Sequence, residues 1–128
     1  MHIFITNALN GRDLEIFGDP KTKTLDFTYI DDFIEATMLA INNGEWNEDY
    51  NISGEDEVNI YKLAKAIITL TKSKSKIKMM CPEIAQPQKV FIDISKIKKL
   101  GYSPKTKIDK GVPKTIEWYK KNINNLDF

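Results

Sequence analysis

The stretch TLDFTYIDD, Thr24 to Asp32, decides the fold class, because it joins two incompatible periodicities without a loop between them. Leu25, Phe27 and Tyr29 alternate with Asp26 and Thr28, the period of a strand packed on one face. Immediately afterwards Phe33, Ala36, Ala40 and Ile41 recur at helical spacing, with Ile34 and Met38 widening the stripe, until Gly44 stops it. Asp32 and, three residues on, Glu35 read as an N-cap with its capping-box partner. A strand feeding straight into an acidic helix start is the grammar of an α/β unit.

Outward from that junction, Ile3, Phe4, Ala8 and Leu9 form a short helical face closed by Asn10-Gly11. No capping box precedes it, so it is expected to be the end of something longer, or an element that begins with the chain. Leu14 to Phe17 alternates and is closed by the turn GDPKTK, so a hairpin or nearby strand pair with Leu25 to Ile30 is expected. YNIS reads as a short strand with GEDEV as its turn, and Asn59 as the cap of a helix carrying Ile60, Leu63, Ala64, Ile67 and Thr71 on one face. KIKMM and KVFI read as further strands, and Asp93 and Ser95 open the helix SKIKKL, which Gly101 ends. The last helix presents Val112, Ile116, Tyr119 and Ile123, and Pro113 favours a start close to itself, since an interior proline costs about 3 kcal/mol. The expectation is an α/β (α+β) unit of short strands and four to five helices, with residues 1–128 as one domain and no internal repeat.

Composition removes several function classes. Nineteen basic residues against eighteen acidic ones leave a net charge of +1, which gives no electrostatic case for nucleic acid or an anionic membrane. The lysines of KSKSKIK and KKNINN read as a solvated face. No apolar run reaches the roughly 18 residues of a membrane span, and MHIFITNALNG lacks a secretion signal, so a cytoplasmic location is expected. One cysteine, Cys81, excludes an internal disulfide and a multi-cysteine metal site. The one histidine, His2, lies too near the terminus to serve a hydrolytic triad, and Asp31, Asp32 and Glu35 are accounted for by the helix dipole rather than by a metal. No GxGxxG turn and no Walker lysine loop occur. Tyr61 and Lys65 stand at Tyr-x-x-x-Lys spacing, but without a glycine turn or an upstream Ser/Thr site they read as helix surface.

Six segments in order, FITNAL, LEIFGD, TLDFTYIDDFIEATMLAI, YNISGEDEVNIYKLAKAI, DISKIKKLGYSPK and GVPKTIEWYKKN, resemble the C-terminal portion of the extended short-chain dehydrogenases. These form the NAD-dependent epimerase/dehydratase family acting on nucleotide sugars. The resemblance implies the substrate-binding lobe of an isomerase or lyase whose Rossmann lobe is absent, and therefore a fragment or excised domain. NAD would be bound by the missing N-terminal lobe and not by this chain, which alone would be inactive. In the complete enzyme the chemistry would be hydride removal to NAD, then hydride return or elimination. The implied partners are a nucleotide-diphosphate sugar, the N-terminal Rossmann lobe and further copies in a homo-oligomer. The alternative is a non-catalytic interaction or dimerisation module that kept the fold and lost the diphosphate site.

The same resemblance implies site residues. Asn7 falls where the family carries a polar side chain near the nucleotide base, and Ile16 and Phe17 where a strand end packs on base or ribose. Gly18 and Asp19 shape the adjoining turn. Leu25 stands where the family has an arginine that clamps the diphosphate, and Glu83 aligns with a second such arginine. With both clamps replaced, Lys89 is the nearest substitute, and UDP-sugars are expected to bind weakly unless it or N-terminal residues hold the phosphates. Asp31 and Asp32 are expected to be structural.

Overall fold

A computed structural model describes residues 1–44, 46–84 and 87–123. In chain order the elements are α1 (His2–Leu9), β1 (Leu14–Phe17), β2 (Thr24–Asp26), α2 (Ile30–Asn43), β3 (Glu57–Asn59), α3 (Ile60–Thr71), β4 (Ile77–Met80), α4 (Ser95–Lys98) and α5 (Ile108–Asn122). Five helices and four short strands thus occupy the described residues, an α/β arrangement of the kind expected.

The opening junction is present, with one change of role. Extended Tyr29 is the N-cap residue of α2, which places Asp32 inside the first turn. Asp32 is 3% exposed and accepts a 2.8 Å hydrogen bond from the Thr106 amide, 74 residues away. Glu35, the expected capping-box partner, instead takes the Lys105 ammonium at 2.5 and 2.7 Å. The pair therefore ties α2 to the segment before α5 rather than closing its own helix. A buried amide without an acceptor costs more than a solvent-accessible one at a helix end, so the carboxylate serves the distant group.

The expected hairpin is absent. β1 pairs in parallel with β4, Leu14 opposite Ile77 through Phe17 opposite Met80. β2 pairs antiparallel with β3, Thr24 opposite Asn59 through Asp26 opposite Glu57. The turn after β1 starts at Gly18 with φ +94°, and the Lys23 amide then donates to the Asp19 carbonyl, which leads β2 away from β1. YNIS is not a strand. Its last residue and Gly54 are held by a side chain instead of a ladder: the Ser53 hydroxyl donates to Asp26 Oδ2 at 2.6 Å and the Gly54 amide to Oδ1 at 3.1 Å. Of KVFI, Lys89 alone makes a bridge, to Thr24.

In α1 the buried residues are Ile5 and Ala8, while Ile3 is exposed, so the helix is rotated relative to the face read from sequence. With Leu14, Ile16, Ile60, Leu63 and Ile67 they form the main core beneath α3 and α5. A smaller core of Ala36, Ile94, Ile97 and Tyr102 lies under α2 and α4. Helix α5 starts five residues before Pro113, because the Ile108 amide is fixed by Asp56 Oδ2 at 2.9 Å, and Pro113 falls in the second turn. Gly111 in that first turn allows the Tyr29 ring to pack against the helix; a Cβ there would sit 3.3 Å from it.

Residues 53–56 form a hub. Tyr102 donates its hydroxyl to the Ser53 carbonyl at 3.0 Å, and Lys107 donates to the carbonyls of Gly54 and Glu55 at 3.1 Å. Burial first, then the carboxylates of Asp32 and Asp26, pushes the Tyr102 phenol up to about 12 from 10.0.

Two measurements check this arrangement. Asp32→Ala leaves the Thr106 amide without its acceptor and is expected to lower unfolding free energy in urea by about 1–3 kcal/mol; a change below about 0.5 kcal/mol, the range of ordinary surface substitutions, counts against the tie. For Tyr102 the folded pKa is the higher one, so its contribution to stability is complete below pH 10.0 and is lost as pH rises through about 12. An ultraviolet difference titration of the native chain minus Tyr102→Phe is expected to show one phenol ionising near pH 12. Ionisation of that phenol at its ordinary value contradicts the hub.

Candidate functional site

Alternation along β2 builds the site. With Asp26 turned toward Ser53 and Gly54, its neighbours Lys23, Leu25 and Phe27 face the other way, toward α1. There they line a concavity of about 340 Å³ with Met1, Ile3, Phe4 and Asn7 of the α1 segment and Glu15, Ile16 and Phe17 of β1. Ile60 and Leu63 complete the lining from α3.

Four of the six residues singled out from sequence therefore meet: Asn7, Ile16, Phe17 and Leu25. Asn7 donates one amide N–H to the Asp13 carbonyl at 3.2 Å, which fixes its side chain across the α1–β1 turn. Ile16 is 1% exposed and serves as wall rather than contact surface. Phe17 is half-buried at the strand end, where its carbonyl accepts from Lys23 Nζ at 2.8 Å. A Cβ at Gly18 would come within 2.5 Å of the Gln88 Nε2, the end of a flexible side chain that can move aside, so it is the φ of +94° that favours glycine. Asp19 closes the turn by accepting from the Lys21 amide at 2.9 Å and the Thr22 hydroxyl at 3.0 Å; these bonds, the amide first, hold its carboxyl below the usual value.

Glu83 and Lys89 are not in the lining. Glu83 is exposed in the segment after β4. Lys89 pairs with Glu57 at 3.0 Å, and Glu57 also accepts from the Thr24 hydroxyl; Lys89, first, holds the Glu57 carboxyl below its ordinary range. Lys23, which sequence reasoning passed over, is 5% exposed and lies in the lining. The available signal was its register, two residues before Leu25 on the same strand face.

Two larger concavities occur. One of about 550 Å³ lies between residues 27–30 and α5, beside Tyr29, Lys114 and Trp118; one of about 640 Å³ lies between α3 and α5, beside Leu63, Leu70 and Val112. The smaller concavity is preferred because four residues that the family resemblance singles out line it. It offers an aromatic ring at Phe17, an oriented amide at Asn7 and a buried ammonium at Lys23, the donor set for a flat polar ring attached to an anion. At Tyr61 and Lys65 the ammonium lies over the ring, 4.6 Å from its centre, a cation–π contact on the surface of α3. No group of three metal-ligating side chains occurs among the described residues, and no described helix is long and apolar enough to cross a membrane.

Comparison with known proteins agrees with this architecture. The model of the NAD dependent epimerase/dehydratase family matches residues 1–53. A UDP-N-acetyl-alpha-D-glucosaminuronate decarboxylase of Bacillus cytotoxicus is 35% identical over 95% of this chain and 40% of its own length. The dTDP-glucose 4,6-dehydratase 1 of Escherichia coli is 30% identical over 98% of this chain and 37% of its own. Among solved structures, UDP-glucose 4-epimerase of Thermotoga maritima with UDP-glucose superposes with TM-score 0.84 at 30% identity, over 94% of this chain and 39% of that one. The chain spans less than half the length of the curated relatives it matches, from 18% to 40%. By sequence and by fold, this chain belongs to the NAD-dependent epimerase/dehydratase family and corresponds to the C-terminal portion of its extended short-chain dehydrogenase members.

Proposed function

We propose that this chain is the substrate-binding lobe of an NAD-dependent nucleotide-sugar epimerase or dehydratase, residues 1–128 acting as one domain that does not catalyse alone. The observation that carries the reading is the convergence of Asn7, Phe17 and Leu25 on one concavity at the end of β1. Phe17 packs on the base or ribose, Asn7 meets a polar edge of the base, and Leu25 lies toward the diphosphate. Relatives with UDP-glucose or with UDP-glucuronic acid and NAD support the substrate class.

The chain's own residues do not fit NAD, since no glycine-rich turn joins a strand to a helix anywhere in the sequence. The proposal therefore assigns the cofactor to a separate Rossmann lobe. Helix α2 supports such a partner: Ile30, Phe33, Ile34, Met38 and Ile41 are all exposed and form one apolar stripe along its length. This stripe is where the second lobe docks.

Calorimetric titration of the chain tests the site. UDP-glucose is expected to bind saturably in the millimolar range and NAD to give no saturable heat; the reverse pattern, or no heat with UDP-glucose, overturns the reading. Sedimentation tests the stripe. The chain alone is expected to self-associate with rising concentration, and the Ile34→Glu, Met38→Glu variant to remain monomeric; an unaltered chain that stays monomeric at high concentration counts against the second lobe.

A further inference from the structure

We propose that the end of the molecule formed by Arg12, Lys72, Lys74 and Lys76 docks on an anionic phospholipid surface, an inference independent of the nucleotide-site reading. The net charge of +1 is unevenly spread. Parallel β1 and β4 start side by side, so the turn before β1 meets the turn between α3 and β4. Backbone bonds close that junction: the Lys76 amide donates to Asp13 Oδ1 at 2.9 Å, and the Leu14 amide to the Lys76 carbonyl at 2.9 Å. Within KSKSK the two serines turn inward. Ser73 and Ser75 share a hydroxyl–hydroxyl bond of 2.7 Å, the Ser75 amide donates to Ser73 Oγ at 3.1 Å, and Ser75 is 8% exposed. Lys72, Lys74 and Lys76, which alternate with them, are left exposed, as is Arg12 one residue before Asp13.

These cations are not neutralised locally. Elsewhere on the surface Lys89, Lys96, Lys98 and Lys105 each meet a carboxylate. Asp13, the carboxylate of this junction, is taken by the Lys76 amide and by the Lys78 ammonium at 3.2 Å; these bonds, the amide first, hold its carboxyl below the usual range. Among the described residues, no carboxylate pairs with the side chain of Arg12, Lys72, Lys74 or Lys76. The negative end of α3 accounts for a cation at its C-cap, Lys72, but its effect fades beyond the last turn. The surroundings select the partner. None of the four residues lines any of the three concavities, so no walls enclose a nucleotide or a peptide. Residues 9–13 and 70–78 contain no aromatic side chain, so single-stranded nucleic acid finds no stacking platform there. Flexible lysines presented as point charges outside a groove suit a flat array of headgroups, on which each contributes about fivefold to partition. From this end β1 runs four residues, about 13 Å, to Phe17, so a surface docked here leaves the nucleotide concavity open.

Sedimentation of the 128-residue chain with phosphatidylcholine vesicles, with and without about 30% phosphatidylserine, tests this. Binding is expected with phosphatidylserine alone and is expected to fall as salt rises. Lys74→Gln combined with Lys76→Gln is expected to weaken partition by about 10- to 30-fold, and Lys74→Arg combined with Lys76→Arg to keep it. Lys120→Gln combined with Lys121→Gln, the same change of net charge placed on α5, is expected to stay within about twofold of the unaltered chain. Equal binding to both vesicles, or none to either, overturns the proposal; equal binding marks the apolar stripe of α2 instead. An equal loss in the Lys120, Lys121 variant overturns it too, because net charge alone then accounts for binding. So does displacement by inorganic phosphate at constant ionic strength, which marks a site for a small anion, or tighter binding to single-stranded RNA than to the phosphatidylserine vesicles, which assigns the patch to nucleic acid.

Discussion

The bond between Asp26 and residues 53–54 sets the register on which the rest depends. Strands of three and four residues contribute few ladder bonds, so β2 is not held in place by its sheet alone. Asp26 supplies the missing constraint, accepting the Ser53 hydroxyl at 2.6 Å and the Gly54 amide at 3.1 Å. A charge-assisted pair of this kind is roughly twice as strong as neutral bonds. A slip of one residue would turn Asp26 toward α1 and send Lys23, Leu25 and Phe27 to the opposite face, abolishing the concavity. Two other carboxylates repeat the device. Asp32 takes the amide of Thr106 and Asp56 that of Ile108, and together they fix α2 and α5 around the 53–56 hub.

This device explains which parts of the fold were legible in sequence. Local signals read correctly. The side chain of Asn59 does cap α3, accepting from the Lys62 amide at 3.0 Å, and Ile60, Leu63, Ala64 and Ile67 are buried as their spacing required. Within KIKMM, Ile77–Met80 is a strand, and of SKIKKL, Ser95–Lys98 is a helix. What could not be read is non-local. Asp32 looks like a cap because the sequence shows its helix and not Thr106; YNIS looks like a strand because alternation does not reveal that a side chain replaces its ladder. The sequence sets the start of α5 too near Pro113 because it does not show Asp56 waiting for the Ile108 amide.

The candidate site divides the same way. Asn7, Ile16, Phe17 and Leu25 sit in α1, β1 and β2, and they meet in one concavity. Glu83, aligned with a family arginine, and Lys89, its nearest substitute, come from the segment after β4 and lie outside the lining. Lys23 escaped notice because a lysine in a Gly-Asp-Pro turn reads as solvated, whereas the turn folds its side chain back onto the Phe17 carbonyl. The stripe of α2 is legible in sequence as an apolar face that the chain should leave uncovered, and the structure has it exposed.

The proposed function has a nucleotide sugar held where α1, β1 and β2 converge. Hydrogen–deuterium exchange of the chain with and without saturating UDP-glucose tests it most directly. Slower exchange is expected in peptides spanning α1 and residues 14–27 alone, with α4 and the C-terminal half of α5 unchanged. Protection centred on α4 or α5, with α1 and β1 exchanging as before, would contradict it.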